Sequence, residues 1–211
     1  MTGWYLRRAV PWRSVLGCLA CGAVVALVVQ RWEYTGSTLG PVLVLVTIAG
    51  AAFVFDEPAA AVAAVAPRGD RWARSARLTA AVVPLFGAVL LATTTPGPSG
   101  GDWIPVLCGL SALVLVSALA VASRGVSRPG SAVASAVVLV GTAPLVTGMF
   151  LDVDSPYPAP DLSSAVTGAW YAVAAVCLAG LLRLLLAGPA RPAAPHAATG
   201  GTRAAPASQR Q

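Results

Sequence analysis

Lysine is absent from the chain, histidine occurs once, and Asp, Glu, Lys and Arg together make up only 10% of its 211 residues. A water-soluble domain usually carries about 25% charged residues, so this chain lacks the polar surface that would keep it in water. That shortage excludes a soluble globular enzyme, a disordered regulator and a nucleic-acid-binding domain. Without lysine there is no phosphate-cradling Gly-rich loop ending in Lys, so the chain is not a P-loop ATPase by itself. The one histidine, His196, stands in a Pro- and Ala-rich tail, which leaves Ser-His-Asp chemistry without its base. Catalytic, metal and cofactor residues are therefore not assigned, and the expectation is of a protein that is not an enzyme.

What the chain has in quantity is apolar length: 57% of it is hydrophobic and the mean hydropathy is +0.76. A helix that crosses a hydrocarbon core roughly 30 Å thick needs about 20 mostly apolar residues. Six such runs stand at residues 14–30, 38–55, 78–95, 103–123, 131–151 and 164–187. None contains Asp or Glu, and only the last contains a base, Arg183. The connections between them are dense in Gly, Pro, Ser and Asp, residues that end helices and do not lie exposed in hydrocarbon. Trp4, Trp12, Trp32, Trp103 and Tyr34 cluster at the ends of runs, where amphipathic rings prefer the headgroup layer. Residues 188–211 lack periodicity and are expected to form a disordered tail. The fold expected is all-α, an integral membrane bundle of six transmembrane helices.

Arginine sets the orientation. Thirteen of the fourteen arginines fall at the N-terminus, in the second and fourth connections, or at and after the end of the last run; Arg31 is the exception. Glu33, Asp102, Asp152, Asp154 and Asp161 collect on the other side. The positive-inside rule then places both termini in the cytoplasm of a bacterial cell membrane. Arg, Ala, Gly and Pro also share GC-rich codons, which points to a high-GC bacterial genome. The basic N-terminus ahead of an apolar run could open a signal peptide, but Cys18 lies too close to Arg13 for a lipoprotein box, and a retained first helix is expected.

Few side chains in the runs suggest chemistry. Cys18 and Cys21 form a C-x-x-C inside the first span, yet zinc wants four ligands and free Cys packs as a small apolar residue. Packing is the role assigned to them, as to Cys108 and Cys177. Pro84 and Pro144 lie inside the third and fifth spans and are expected to kink them; Pro144 is flanked by Gly141, Thr142, Thr147 and Gly148. Broken helices of this kind line transporter sites, although Pro and Gly are also ordinary in membrane helices. Ser and Thr within the spans read as helix–helix contacts. With no acid and no His in the membrane, an ion-coupled transporter is disfavoured. Asp152, Asp154 and Asp161 read as a solvated outer loop, since a hard cation wants more oxygens than three.

The connection from Asp56 to Arg77 is the most informative. Asp56 and Glu57 precede Pro58, and Arg68 and Arg71 follow an apolar stretch, so a short helix over about 58–66 would have its dipole matched at both ends. Such a helix, with Trp72, Arg74 and Arg77 beyond it, forms either an interfacial connector or a docking element for a cytoplasmic partner. The stretch Phe55-Asp56-Glu57-Pro58-Ala59-Ala60, followed by Pro67 and the Arg-rich run to Arg77, resembles six-span membrane proteins of high-GC actinobacteria. Some of these are described as permease-like subunits of ATP-binding-cassette exporters. The resemblance implies a permease-like subunit in the lipid bilayer, working with a separate cytoplasmic ATPase and pairing as a homo-dimer. The alternative is a non-transporting accessory or structural membrane protein.

Reporter fusions check the topology directly. Fusions after Gly130 and near Ala205 should be active only as cytoplasmic reporters, and those at Gly100 and Pro158 only as external ones; an external signal from the tail would remove the six-span arrangement.

Overall fold

A computed structural model describes residues 2–56, 69–95, 100–126, 128–151, 155–158 and 162–186. Among the described residues the regular structure is entirely helical. A short helix α1 (Thr2–Ala9) precedes α2 (Trp12–Arg31), a single 3-10 turn (Glu33–Thr35) and α3 (Gly36–Phe53). Then follow α4 (Gly69–Thr94), α5 (Gly100–Ser123), α6 (Pro129–Leu151) and α7 (Ser164–Leu186). The six helices α2 to α7 are each long and apolar enough to cross a membrane. In hydrocarbon no water is present to pair N–H and C=O groups, so a run of this length satisfies its backbone only by closing into a helix. The third element starts well before the apolar run at Leu78: the helix already holds the backbone of Arg71, Arg74 and Arg77. The Arg-rich stretch is thus the first turns of a span and not a free connector. The expected helix over 58–66, with Glu57, Pro58 and Arg68, lies outside the described residues, as do Asp152, Asp154, Asp161 and the tail.

Helix α3 is the hub. It touches α2, α4, α5 and α6, and from Leu43 to Ala52 almost every residue is buried. Its Ala, Gly and β-branched content suits that place, because small side chains let several backbones come close at once. Cys18 of α2 illustrates this, for a Cβ added at Gly50 of α3 would stand 3.2 Å from its Cβ. Helix α7 is the outlier: it packs on α5 and makes at most slight contact elsewhere. The outward faces are apolar, with Leu139 71%, Phe150 82% and Val176 73% exposed. A surface of this kind is stable against lipid and not against water, so the chain is an integral membrane protein.

The Arg-rich end of the bundle is tied together by two side-chain assemblies. In the first, the chain leaves α3 through buried Val54 and Phe55 and reaches Asp56. The Oδ1 of Asp56 accepts the Gly130 N–H at 2.7 Å, and its Oδ2 accepts the Ser131 N–H at 3.1 Å. A carboxylate from one span thereby caps the start of another, pairing amide groups that α6 cannot satisfy and matching its positive end. Pro129 opens the helix where a missing N–H costs nothing. Gly130 is required by space: a Cβ there would overlap the Ala52 carbonyl oxygen and stand 2.9 Å from the Phe53 Cα. In the second assembly α1 lies against α4, with the rings of Tyr5 and Trp72 4.9 Å apart. The buried Arg77 guanidinium donates to the Tyr5 hydroxyl at 3.3 Å, while the Trp12 indole N–H donates to the Leu6 carbonyl at 3.0 Å.

Substitutions at the cap should separate its two components. Asp56→Ala should lower stability by about 1–2 kcal/mol, as loss of a helix cap does. Gly130→Ala should cost about 1–3 kcal/mol, as overpacking does, at the upper end because the obstacle is backbone. Thermal unfolding followed by size-exclusion in detergent checks both, and a G130A protein as stable as the wild type would refute the close approach of α6 to α3.

Candidate functional site

Helix α6 is continuous but carries a proline, Pro144, in its outer half. Pro144 carries no N–H, so the Val140 carbonyl loses its helical donor. The hydroxyls nearby feed the carbonyls of their own helix: Thr142 donates to Val138 at 2.8 Å, and Thr147 to Ala143 at 3.1 Å and Pro144 at 3.2 Å. Thr47 does the same in α3, donating to Leu43 at 2.7 Å. Back-bonding satisfies these hydroxyls within a single helix, and Thr47 makes the expected helix–helix contact through its methyl, which lies where a Cβ at Gly22 of α2 would stand. Pro84 also lies inside its helix, and so do Pro41 and Pro105, which are not singled out by the sequence reading.

Against this part of α6 lies a short irregular segment, residues 155–158. Tyr157 is 3% exposed, and its hydroxyl donates to the Gly141 carbonyl at 2.6 Å. The Trp170 indole N–H of α7 donates to the Pro156 carbonyl at 2.8 Å. The Tyr157 hydroxyl, facing a carbonyl oxygen, acts as a donor. Gly141 stands ten residues before the end of α6 at Leu151, about 15 Å at 1.5 Å per residue. Trp170 stands six residues into α7 from Ser164, about 9 Å by the same rise. Both rulers carry the segment well below the outer ends of the helices, the Tyr157 hydroxyl reaching near mid-depth. Irregular backbone is tolerated there only when protein covers it or a cavity adjoins it.

A cavity does adjoin it. About 390 Å³ of space is lined by Leu110, Leu113 and Ser117 of α5, by α6 from Val133 to Pro144, and by Pro156, Tyr157 and Trp170. Because α6 and α7 hardly touch each other while both pack on α5, the space lies in the cleft between them. The lining is apolar apart from the Ser117 and Tyr157 hydroxyls and the Trp170 N–H. Trp170 is seated by Gly109 of α5, where a Cβ would overlap its ring. Among the described residues no carboxylate, imidazole or amine lines the space, and the described lining suits apolar matter.

The described members of the set assigned to partner docking lie at the Arg-rich end of the bundle. Asp56 caps α6. Trp72 lies against Tyr5, and Arg77 is buried beside it. Arg74 is half-buried; Arg71 belongs to α4, with its side chain outside the description. The free cysteines are spread over α2, α5 and α7, and among the described residues no group of three or more His, Cys, Asp or Glu could hold a metal. Trp103, expected at the headgroups, is 4% exposed inside the bundle. Gly130, Ser131, Tyr157 and Trp170 are the residues that sequence reasoning missed. A tyrosine bracketed by Pro156 and Pro158, and a tryptophan well inside a run, were the available signals for the last two.

The re-entrant segment closes the outer end of the cavity, which labelling can test. With the four cysteines replaced by Ala and Val140→Cys introduced, a membrane-impermeant maleimide added outside should leave the protein unlabelled; adding Tyr157→Ala should admit the reagent. Equal labelling with and without Tyr157 would refute the closure. No protein-family model, curated protein or solved structure matches the chain.

Proposed function

We propose that the chain is a permease-like subunit of an ATP-driven exporter, working as a pair of copies with a separate ATPase. The observation that carries this reading is the proline-containing centre of α6 with residues 155–158 folded against it beside a cavity. Transporters place their substrate sites where broken helices and irregular backbone meet near mid-depth. The absence of any acid or histidine from the six apolar runs supports an external source of energy, since ion-coupled carriers need such groups in the membrane. Arg71 and Arg74 stand in the first turns of α4, the Arg74 side chain half-buried. They are assigned here to the ATPase. A second reading, a non-transporting accessory protein, is favoured by the engagement of Asp56, Trp72 and Arg77 within the fold, which leaves less of the connection free for a partner.

The test is recovery of an ATPase with the purified protein. Arg71→Gln with Arg74→Gln should weaken co-purification: charge-assisted contacts are worth about 1.5–3 kcal/mol each, and about 1.4 kcal/mol is a factor of ten. At least a tenfold loss is therefore expected, beside a reporter-fusion control showing unchanged topology. Undiminished recovery, or no ATPase with the wild type, would favour the accessory reading.

A further inference from the structure

The cavity between α5, α6 and α7 has a direction. Tyr157 and Pro156 roof it at the outer end, while Val133 and Ser117 line its other end. Val133 is four residues into α6 from Pro129, and Ser117 is six residues short of the end of α5 at Ser123. The space thus runs from near mid-depth toward the Arg-rich face. At that face each of the three helices that line it carries an exposed arginine at or beside its end: Arg124 just after α5, Arg128 just before α6, and Arg183 in the last turn of α7. Sideways, the cleft is open to lipid, for Ala136 is exposed and Val140 is 72% exposed.

The occupant follows from these features. The Tyr157 hydroxyl and the Trp170 N–H are already engaged by backbone carbonyls, so among the described lining residues Ser117 supplies the one hydroxyl left for a polar ligand. A helix about 10–12 Å across fills more than 390 Å³ within a single 5.4 Å turn, so a partner helix does not fit. A flexible hydrocarbon chain does. Polybasic groups beside a membrane attract anionic headgroups, and the three arginines stand at the ends of the lining helices on the side toward which the cavity runs. We propose that this cleft binds one anionic phospholipid of the Arg-rich leaflet, with an acyl chain in the cavity and the headgroup among Arg124, Arg128 and Arg183. The site goes beyond the export reading, because a lipid is held there whether or not anything is moved.

Photolabelling of the whole protein in nanodiscs tests it. The probes are a phosphatidylglycerol and a phosphatidylcholine, each carrying a diazirine in mid-chain, with adducts mapped by mass spectrometry. Phosphatidylglycerol should label residues 110–117 and 133–144 roughly tenfold more than the lipid-facing Val24 and Leu27, the factor that about 1.4 kcal/mol provides. Val140→Trp should abolish that excess by filling the cleft, whereas Leu139→Trp, on the exposed neighbouring position, should preserve it. Arg124→Gln, Arg128→Gln and Arg183→Gln together should erase the preference for phosphatidylglycerol over phosphatidylcholine while annular labelling at Val24 and Leu27 persists. That persistence, with unaltered size-exclusion and fusion topology, shows the variants still assemble. Even labelling of all lipid-facing positions, an excess that V140W leaves intact, or equal labelling by the two headgroups would overturn the proposal. So would a cross-link from Ala136→Cys or Val140→Cys to a second polypeptide.

Discussion

One carboxylate joins the centre of the bundle to its far side. Asp56 ends the most buried helix and accepts two amide hydrogens at the start of α6. Those amides lie where the bilayer gives way to headgroups, and without the carboxylate they would have no partner within their own helix. The bond fixes where α6 begins, and so how deep Gly141 and Pro144 lie. The depth of Gly141 in turn decides where the Tyr157 hydroxyl finds its acceptor. The cavity's roof and its foot are therefore referred to the same point, the contact of Gly130 with the backbone of Ala52 and Phe53.

The same solvent constraint explains how the polar side chains are used. Thr47, Thr142 and Thr147 each donate to a carbonyl of the preceding turn, and Tyr157 and Trp170 donate to backbone carbonyls of α6 and of the loop. In water such groups could share their hydrogens with solvent; in hydrocarbon each needs an acceptor inside the protein, as the Gly141 and Pro156 carbonyls are for Tyr157 and Trp170. Arg77 follows this pattern at the membrane edge, buried at 8% exposure and directed to the Tyr5 hydroxyl.

The number and kind of elements were legible because length and charge report on them locally. A run such as 103–123 is long enough to span and contains nothing that hydrocarbon would refuse. What stayed hidden depends on pairing between distant residues. Asp56 reads as the opening of a helix directly after it, since a sequence shows only neighbours; its partners lie 74 and 75 residues away. Trp103 reads as an interfacial anchor because tryptophans at run ends usually are, but Gly40 gives its ring a seat, with a Cβ there 3.1 Å away. The loop between the last two helices reads as solvated because Pro and Asp dominate it, and a single tyrosine reverses that reading for residues 155–158.

The separation between Asp56 and Gly130 also has a meaning in time. A ribosome adds about 5–20 residues per second, so the 74 residues between them take about 4–15 s to make. Throughout that interval α3 is already synthesised and its carboxylate has no amide to hold. The central helix must be retained in the membrane first by α2, with which it packs directly, and then by α4 and α5 as they arrive. The order of synthesis thus follows the order of need: α2 is available before the hub, the cap closes only when the fifth span enters, and α7 arrives last at a surface that α5 has already prepared.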